Sequence, residues 1–122
     1  MKRISLIIVL LFTASMLFAD NSQIAIALEQ KGGNRIDYLI PADEPDVYLD
    51  IVNQEIIIDG SGAVSYYDVE ISSATNWTVY ISTQVSGSYG TIDISSLPEG
   101  EYVITIDSPT GNSFEGYFDT KH

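Results

Sequence analysis

Beyond residue 20, large apolar side chains recur at every second position and few windows show helical spacing, so the pattern predicts a succession of β-strands. Ile24, Ile26 and Leu28 alternate with Ala25, Ala27 and Glu29, which predicts a first strand with its aliphatics turned inward. The stretch 31–46 holds Gly32, Gly33, Pro41 and Pro45 and predicts a loop crossing from edge to sheet. Val47, Leu49 and Ile51 then point one way and Tyr48 and Asp50 the other, and Asn53-Gln54 turns the chain into a strand over 55–59, a hairpin. After the turn Asp59-Gly60-Ser61-Gly62, the set Tyr67, Val69 and Ile71 faces in while Tyr66, Asp68 and Glu70 face water. Residues 72–76 turn again, and Trp77, Val79 and Ile81 continue the inward set, with Thr78, Tyr80 and Ser82 outward.

A strand around Ile92 and Ile94 precedes the turn Leu97-Pro98-Glu99-Gly100, where proline pre-sets φ and glycine accepts a positive one. Tyr102, Ile104 and Ile106 follow, then the turn 107–112, then Phe114, Gly116 and Phe118 alternating with Glu115, Tyr117 and Asp119. About seven strands at a spacing of roughly 8–12 residues predict an all-β fold, an antiparallel two-sheet sandwich of immunoglobulin-like type. A slip of one residue in the middle strands would bury carboxylates, so their register is well determined. On this pattern Trp77 is the central core aromatic, and the tail from Thr120 to His122 is frayed.

The N-terminus departs from the alternation. Lys2 and Arg3 precede an apolar run from Ile4 to Phe12, interrupted by Thr13 and Ser15 and closed by Ala19 before Asp20. This is the form of a signal peptide over 1–19, short for spanning about 30 Å of hydrocarbon. Without a cysteine after it there is no thiol to acylate, so the expected product is a secreted, periplasmic or cell-surface protein with no stable membrane insertion. The remainder, 20–122, suffices for a single domain with one core. The signal segment runs almost directly into that domain, as in a free-standing protein.

Charge narrows the partners. The formal net charge is −12, and loss of Lys2 and Arg3 leaves only Lys31, Arg35 and Lys121 against 17 acidic residues. Such a surface repels phosphate backbones and anionic headgroups, which disfavours nucleic acid and membrane surfaces. The absence of cysteine also means that apolar burial alone must hold the domain together.

Catalysis lacks its parts. The single imidazole is His122 at the very end, no Gly-x-Ser-x-Gly elbow occurs, and among so many acids coincidental carboxylate pairs are inevitable in a domain too small for a deep cleft. No catalytic, cofactor or metal residues are therefore assigned. Asp43, Glu44, Asp46 and Asp50 could hold calcium in a proline-bounded loop, although their spacing is not that of an EF-hand and a solvated loop explains them as well. Asn76-Trp77-Thr78 has the form of a glycosylation sequon, a coincidence if Trp77 faces the core. Tyr48, Tyr66, Tyr80 and Tyr117 fall opposite the inferred core and form the candidate binding face, against ordinary cross-strand decoration.

Ile26-Ala27-Leu28-Glu29, Gly33 to Arg35, the segment from Ile92 through Leu97-Pro98-Glu99-Gly100-Glu101-Tyr102, and the closing Phe114-Glu115-Gly116-Tyr117-Phe118 together resemble small secreted Bacteroidetes proteins grouped as a domain of unknown function. That resemblance implies an immunoglobulin-like sandwich and brings no catalytic residues. The Leu-Pro-x-Gly-x-Tyr segment is also similar, more weakly, to the C-terminal sorting domains of secreted cargo in such bacteria. The expected function is a non-catalytic module binding a protein or carbohydrate partner at the cell envelope. The alternative is a structural or sorting module acting by sheet-edge pairing, and the oligomeric state is open.

Overall fold

The computed structural model describes residues 22–32 and 43–120. Every regular element among them is a strand: β1 (Gln23–Ile26), β2 (Glu29–Gly32), β3 (Asp46–Asp50), β4 (Glu55–Asp59), β5 (Tyr66–Ser73), β6 (Val79–Ser86), β7 (Tyr89–Asp93), β8 (Glu101–Asp107) and β9 (Ser113–Asp119). They build two antiparallel sheets, β1-β3-β4-β7 and β2-β9-β8-β5-β6. The expected all-β, immunoglobulin-like sandwich is present, with nine described strands in place of about seven. The signal segment 1–19, most of the crossing loop and His122 lie outside the described residues, among which no helix is long and apolar enough to cross a membrane.

The inner faces interdigitate as the alternation requires. Ile56 and Ile58 of β4 meet Tyr67, Val69 and Ile71 of β5, Ile104 and Ile106 of β8, and Phe114 and Phe118 of β9 in one buried cluster. Each such side chain contributes about 1.5–3 kcal/mol on burial, which is how a chain without cysteine holds together. The Tyr102 ring stacks on Phe118 at 5.6 Å and its hydroxyl donates to Pro98 O, closing the 97–100 turn onto the core.

Several expectations are corrected. The first strand is two: β1 pairs with β3, the chain switches sheets at residues 27–28, and β2 pairs with β9. Ile24 stands opposite Leu49 on the inner face, but on the outermost strand of its sheet, and is 50% exposed. Ile51 falls in the β3–β4 turn and is exposed, because Asp50 folds its carboxylate onto the N–H groups of Val52 and Asn53 and ends the strand.

Trp77 does not enter the core. Ile71 faces Ile81 and Ser72 faces Val79, so Tyr80 is an extra residue, a bulge that turns Val79 to the outer face. Trp77 itself sits in the preceding turn with φ 62° and is 59% exposed. Val85, further along β6, supplies the buried inward residue. At the other end, Thr120 is fixed: its N–H donates to Gly100 O and its hydroxyl reaches Pro98 O and Gly100 O.

Candidate functional site

The four tyrosines do not share a surface. Tyr48 is half-buried on the outer face of the four-stranded sheet, in a row with Ala25, Ile57 and Thr91. Tyr66 and Tyr117 lie on the outer face of the other sheet, at opposite ends of it. Tyr80, on the bulge, sets its ring edge-on to buried Tyr102 at 5.8 Å and so leans over the end of the core. Burial and the neighbouring Tyr80 hydroxyl raise the pKa of Tyr102.

Register assembles a different set. Across the five-stranded sheet, Tyr117, Val103, Ser72 and Val79 occupy one outward row, and the Trp77 turn leads directly into its last member. Val103 faces away from the core yet is 1% exposed, a covered floor between exposed Tyr117 and exposed Val79. Beside Tyr117 a hollow of about 300 Å³ is lined by Glu101, Tyr117, Phe118 and Asp119. This end of the outer face, with Trp77 and Val79 at β6, Tyr117 three strands away on β9 and Val103 between them, is an apolar corner, and the carboxylates of Glu101 and Asp119 line the hollow beside Tyr117.

The next rows are acidic. Glu29, Glu115, Thr105, Glu70 and Ser82 align, followed by Ser113, Asp107, Asp68 and Gln84. A hollow of about 220 Å³ lies over Asp68, Glu70, Thr105 and Asp107. Lys31 Nζ bridges Glu29 at 3.1 Å and Glu115 at 3.6 Å, and its hydrogen bond to Glu29 raises its pKa. Gln84 Nε2 donates to Asp68 Oδ1, and Ser113 Oγ to Asp107 Oδ1. Among the described residues, no group of three or more His, Cys, Asp or Glu is arranged to hold a metal ion.

Of the acids in the 43–50 segment, Asp43 and Asp50 hold the fold together. Asp43 is buried and accepts from Thr110 Oγ1 and, with both oxygens, from Asn112 Nδ2 at 3.0 and 3.1 Å. Burial pushes its carboxyl up, but the hydrogen bonds from Thr110, Ser108 and Asn112 outweigh that and hold its pKa below the usual value. The Asp43 carbonyl accepts from Tyr67 Oη at 2.7 Å, and burial plus the Asp43 charge push that phenol up to about 12. Asp50, at the far end of β3, is 3% exposed, and the Asn53 N–H holds its pKa down. Glu44 moves the other way, raised by burial and by Asp46 and Asp43.

Sequence reasoning placed Trp77 and Val79 inside because a bulge leaves no mark on a period-two pattern. A usable signal was nevertheless present: residues 71–92 carry no Asp, Glu, Lys or Arg in a chain of net charge −12. Within that neutral stretch lie Trp77, Val79, Tyr80 and Tyr89, all exposed.

No family model and no curated protein matches the chain. Among solved structures, a DUF3244 family protein from Bacteroides vulgatus with an immunoglobulin-like β-sandwich fold matches at a TM-score of 0.62 and 19% identity, over 80% of this chain and 97% of that one. The resemblance to small Bacteroidetes proteins of unknown function thus has a structural counterpart, and at this identity the likeness is one of fold: an immunoglobulin-like β-sandwich such as that DUF3244 protein adopts.

Proposed function

We propose that the protein is an exported, non-catalytic binding module of the cell envelope, which captures a protein or glycan partner at the corner formed by Trp77, Val79 and Tyr117. One observation carries this reading: Trp77 is 59% and Tyr117 60% exposed at the same end of the five-stranded sheet. Large apolar groups rimmed by polar ones are what interaction surfaces look like, and tryptophan and tyrosine dominate binding energy where they occur. The rim carboxylates of Glu101 and Asp119 would accept hydrogen bonds from sugar hydroxyls or from basic side chains. Export rests on Lys2, Arg3 and the apolar run closed by Ala19.

The test pairs a glycan array with affinity capture from envelope extract, using wild type, Trp77→Ala, Tyr117→Ala and, from the opposite sheet, Tyr48→Ala. Trp77→Ala and Tyr117→Ala should each weaken capture about tenfold or more without altering the circular dichroism spectrum. Tyr48→Ala should leave it unchanged. Capture that survives the first two and fails with the third moves the site to the other sheet and ends the proposal.

A further inference from the structure

We infer that β6 is a pairing edge for a second copy of this chain, joining two five-stranded sheets into one continuous sheet about a twofold axis. An edge strand exposes unpaired N–H and C=O groups, and native sheets guard such edges with charge, proline or short length. Among the described residues, three of the four sheet edges are guarded in that way: β1 is 4 residues, β2 carries Glu29 and Lys31, and β7 is 5 residues ending at Asp93. The fourth, β6, runs 8 residues as VYISTQVS, with no charge and no proline.

Its backbone is set for a partner. Gly87 N–H donates to Ser65 O, extending the β5–β6 ladder. The alternation of an antiparallel pair then turns the peptide groups of Ser82, Gln84 and Ser86 away from β5 toward the open side. Ile81 is half-covered and Thr83 exposed, although both face inward, so a neighbour would also bury apolar surface.

The chain itself is the occupant that fits. With the axis at Thr83, Ile81 lies opposite the partner's Val85 on the inner side, and Ser82 opposite the partner's Gln84 outside, two residues whose peptide groups already point across the edge. Elsewhere two copies of net charge −12 would bring carboxylates together, whereas residues 71–92 are free of charge, so β6 is where like-charge repulsion is least. This inference rests on the β6 backbone and its lack of charge and not on the proposed capture of a partner, although Val79 of β6 belongs to both surfaces.

Sedimentation velocity over a concentration series tests it, on wild type, Gln84→Pro and Thr83→Lys. Gln84→Pro removes a donor aimed at the partner and leaves the β5 ladder intact, and Thr83→Lys sets two ammonium groups across the axis. Wild type should dimerise in roughly the micromolar range. Both variants should keep the wild-type circular dichroism spectrum and weaken association about tenfold or more. If a variant misfolds, hydrogen exchange on wild type decides: the amides of Ser82, Gln84 and Ser86 must gain protection as concentration rises. A wild type that stays monomeric, a dimer indifferent to both folded variants, unlimited growth in place of a dimer, or no concentration-dependent protection of those amides overturns the inference.

Discussion

Asp43 shows how one carboxylate can anchor a loop to a distant turn. Its two oxygens take donors from Thr110 and Asn112, in the turn between β8 and β9, while its carbonyl takes the Tyr67 hydroxyl from inside the core. Because the folded pKa lies below the unfolded value of 3.8, the anchor's contribution is complete above that value and is lost as pH falls through the lower, folded one. Asp43→Asn would set an amide against groups that already donate, so at neutral pH it should destabilise the protein by about 1–3 kcal/mol. On acidification the gap between wild type and Asp43→Asn should close below about pH 4, as followed by thermal melts. Asp50 and Asp93, whose pKa values are lowered by the N–H groups of Asn53 and Ser95, titrate in both proteins and cancel, which leaves the difference to Asp43 and to Glu44, whose pKa the Asp43 charge helps to raise. A gap that persists to about pH 2 would show that the Asp43 bonds do not depend on its charge.

The strand switch at residues 27–28 depends on one glycine. A Cβ on Gly116 would stand 2.8 Å from Ile26 Cγ2, 2.9 Å from Ala27 O and 3.0 Å from Leu28 Cδ2, so the crossing chain presses on β9 where a side chain is missing. Gly116→Ala should therefore cost about 1–3 kcal/mol, in the range of overpacked cores. Gly100→Ala, with nothing within 4 Å of its Cβ, should change stability by less than about 0.5 kcal/mol, so equal midpoints in urea would refute the assignment. Much of this architecture was legible. The alternation from Tyr67 to Ile71 and from Tyr102 to Ile106, and the turn chemistry at 59–62, set strands whose inward residues are buried as expected, whereas Gly100 in the 97–100 turn does not take the positive φ expected of it. The sheet switch and the Tyr80 bulge were not, because neither changes composition: each is a local choice of pairing partner made by the rest of the sheet. The candidate site moved for that reason, from four scattered tyrosines to the Trp77, Val79 and Tyr117 corner.

At the scale of the molecule, packing works against charge. One buried cluster between two sheets carries the stability, and both outer faces are acidic: Glu29, Glu115, Glu70, Asp68 and Asp107 on one, Asp50, Glu55, Asp93, Asp46 and Asp59 on the other. Against these, the described ion pairs are those of Lys31, exposed and easily screened. Salt should thus weaken more repulsion than attraction and raise the melting temperature. The Debye length falls from about 30 Å at 0.01 M to about 10 Å at 0.1 M, which removes long-range repulsion along each face but leaves buried hydrogen bonds such as those of Asp43 nearly untouched. For a domain of about 100 residues, each kcal/mol relieved should add roughly 4–8 °C. Melts followed by circular dichroism from low to moderate sodium chloride measure this, at concentrations dilute enough to keep the chain monomeric, since screening would also favour pairing through β6. A melting temperature that falls over that range would mean that the Lys31 pairs outweigh the acidic faces, and that net charge is not what limits the stability of this sandwich.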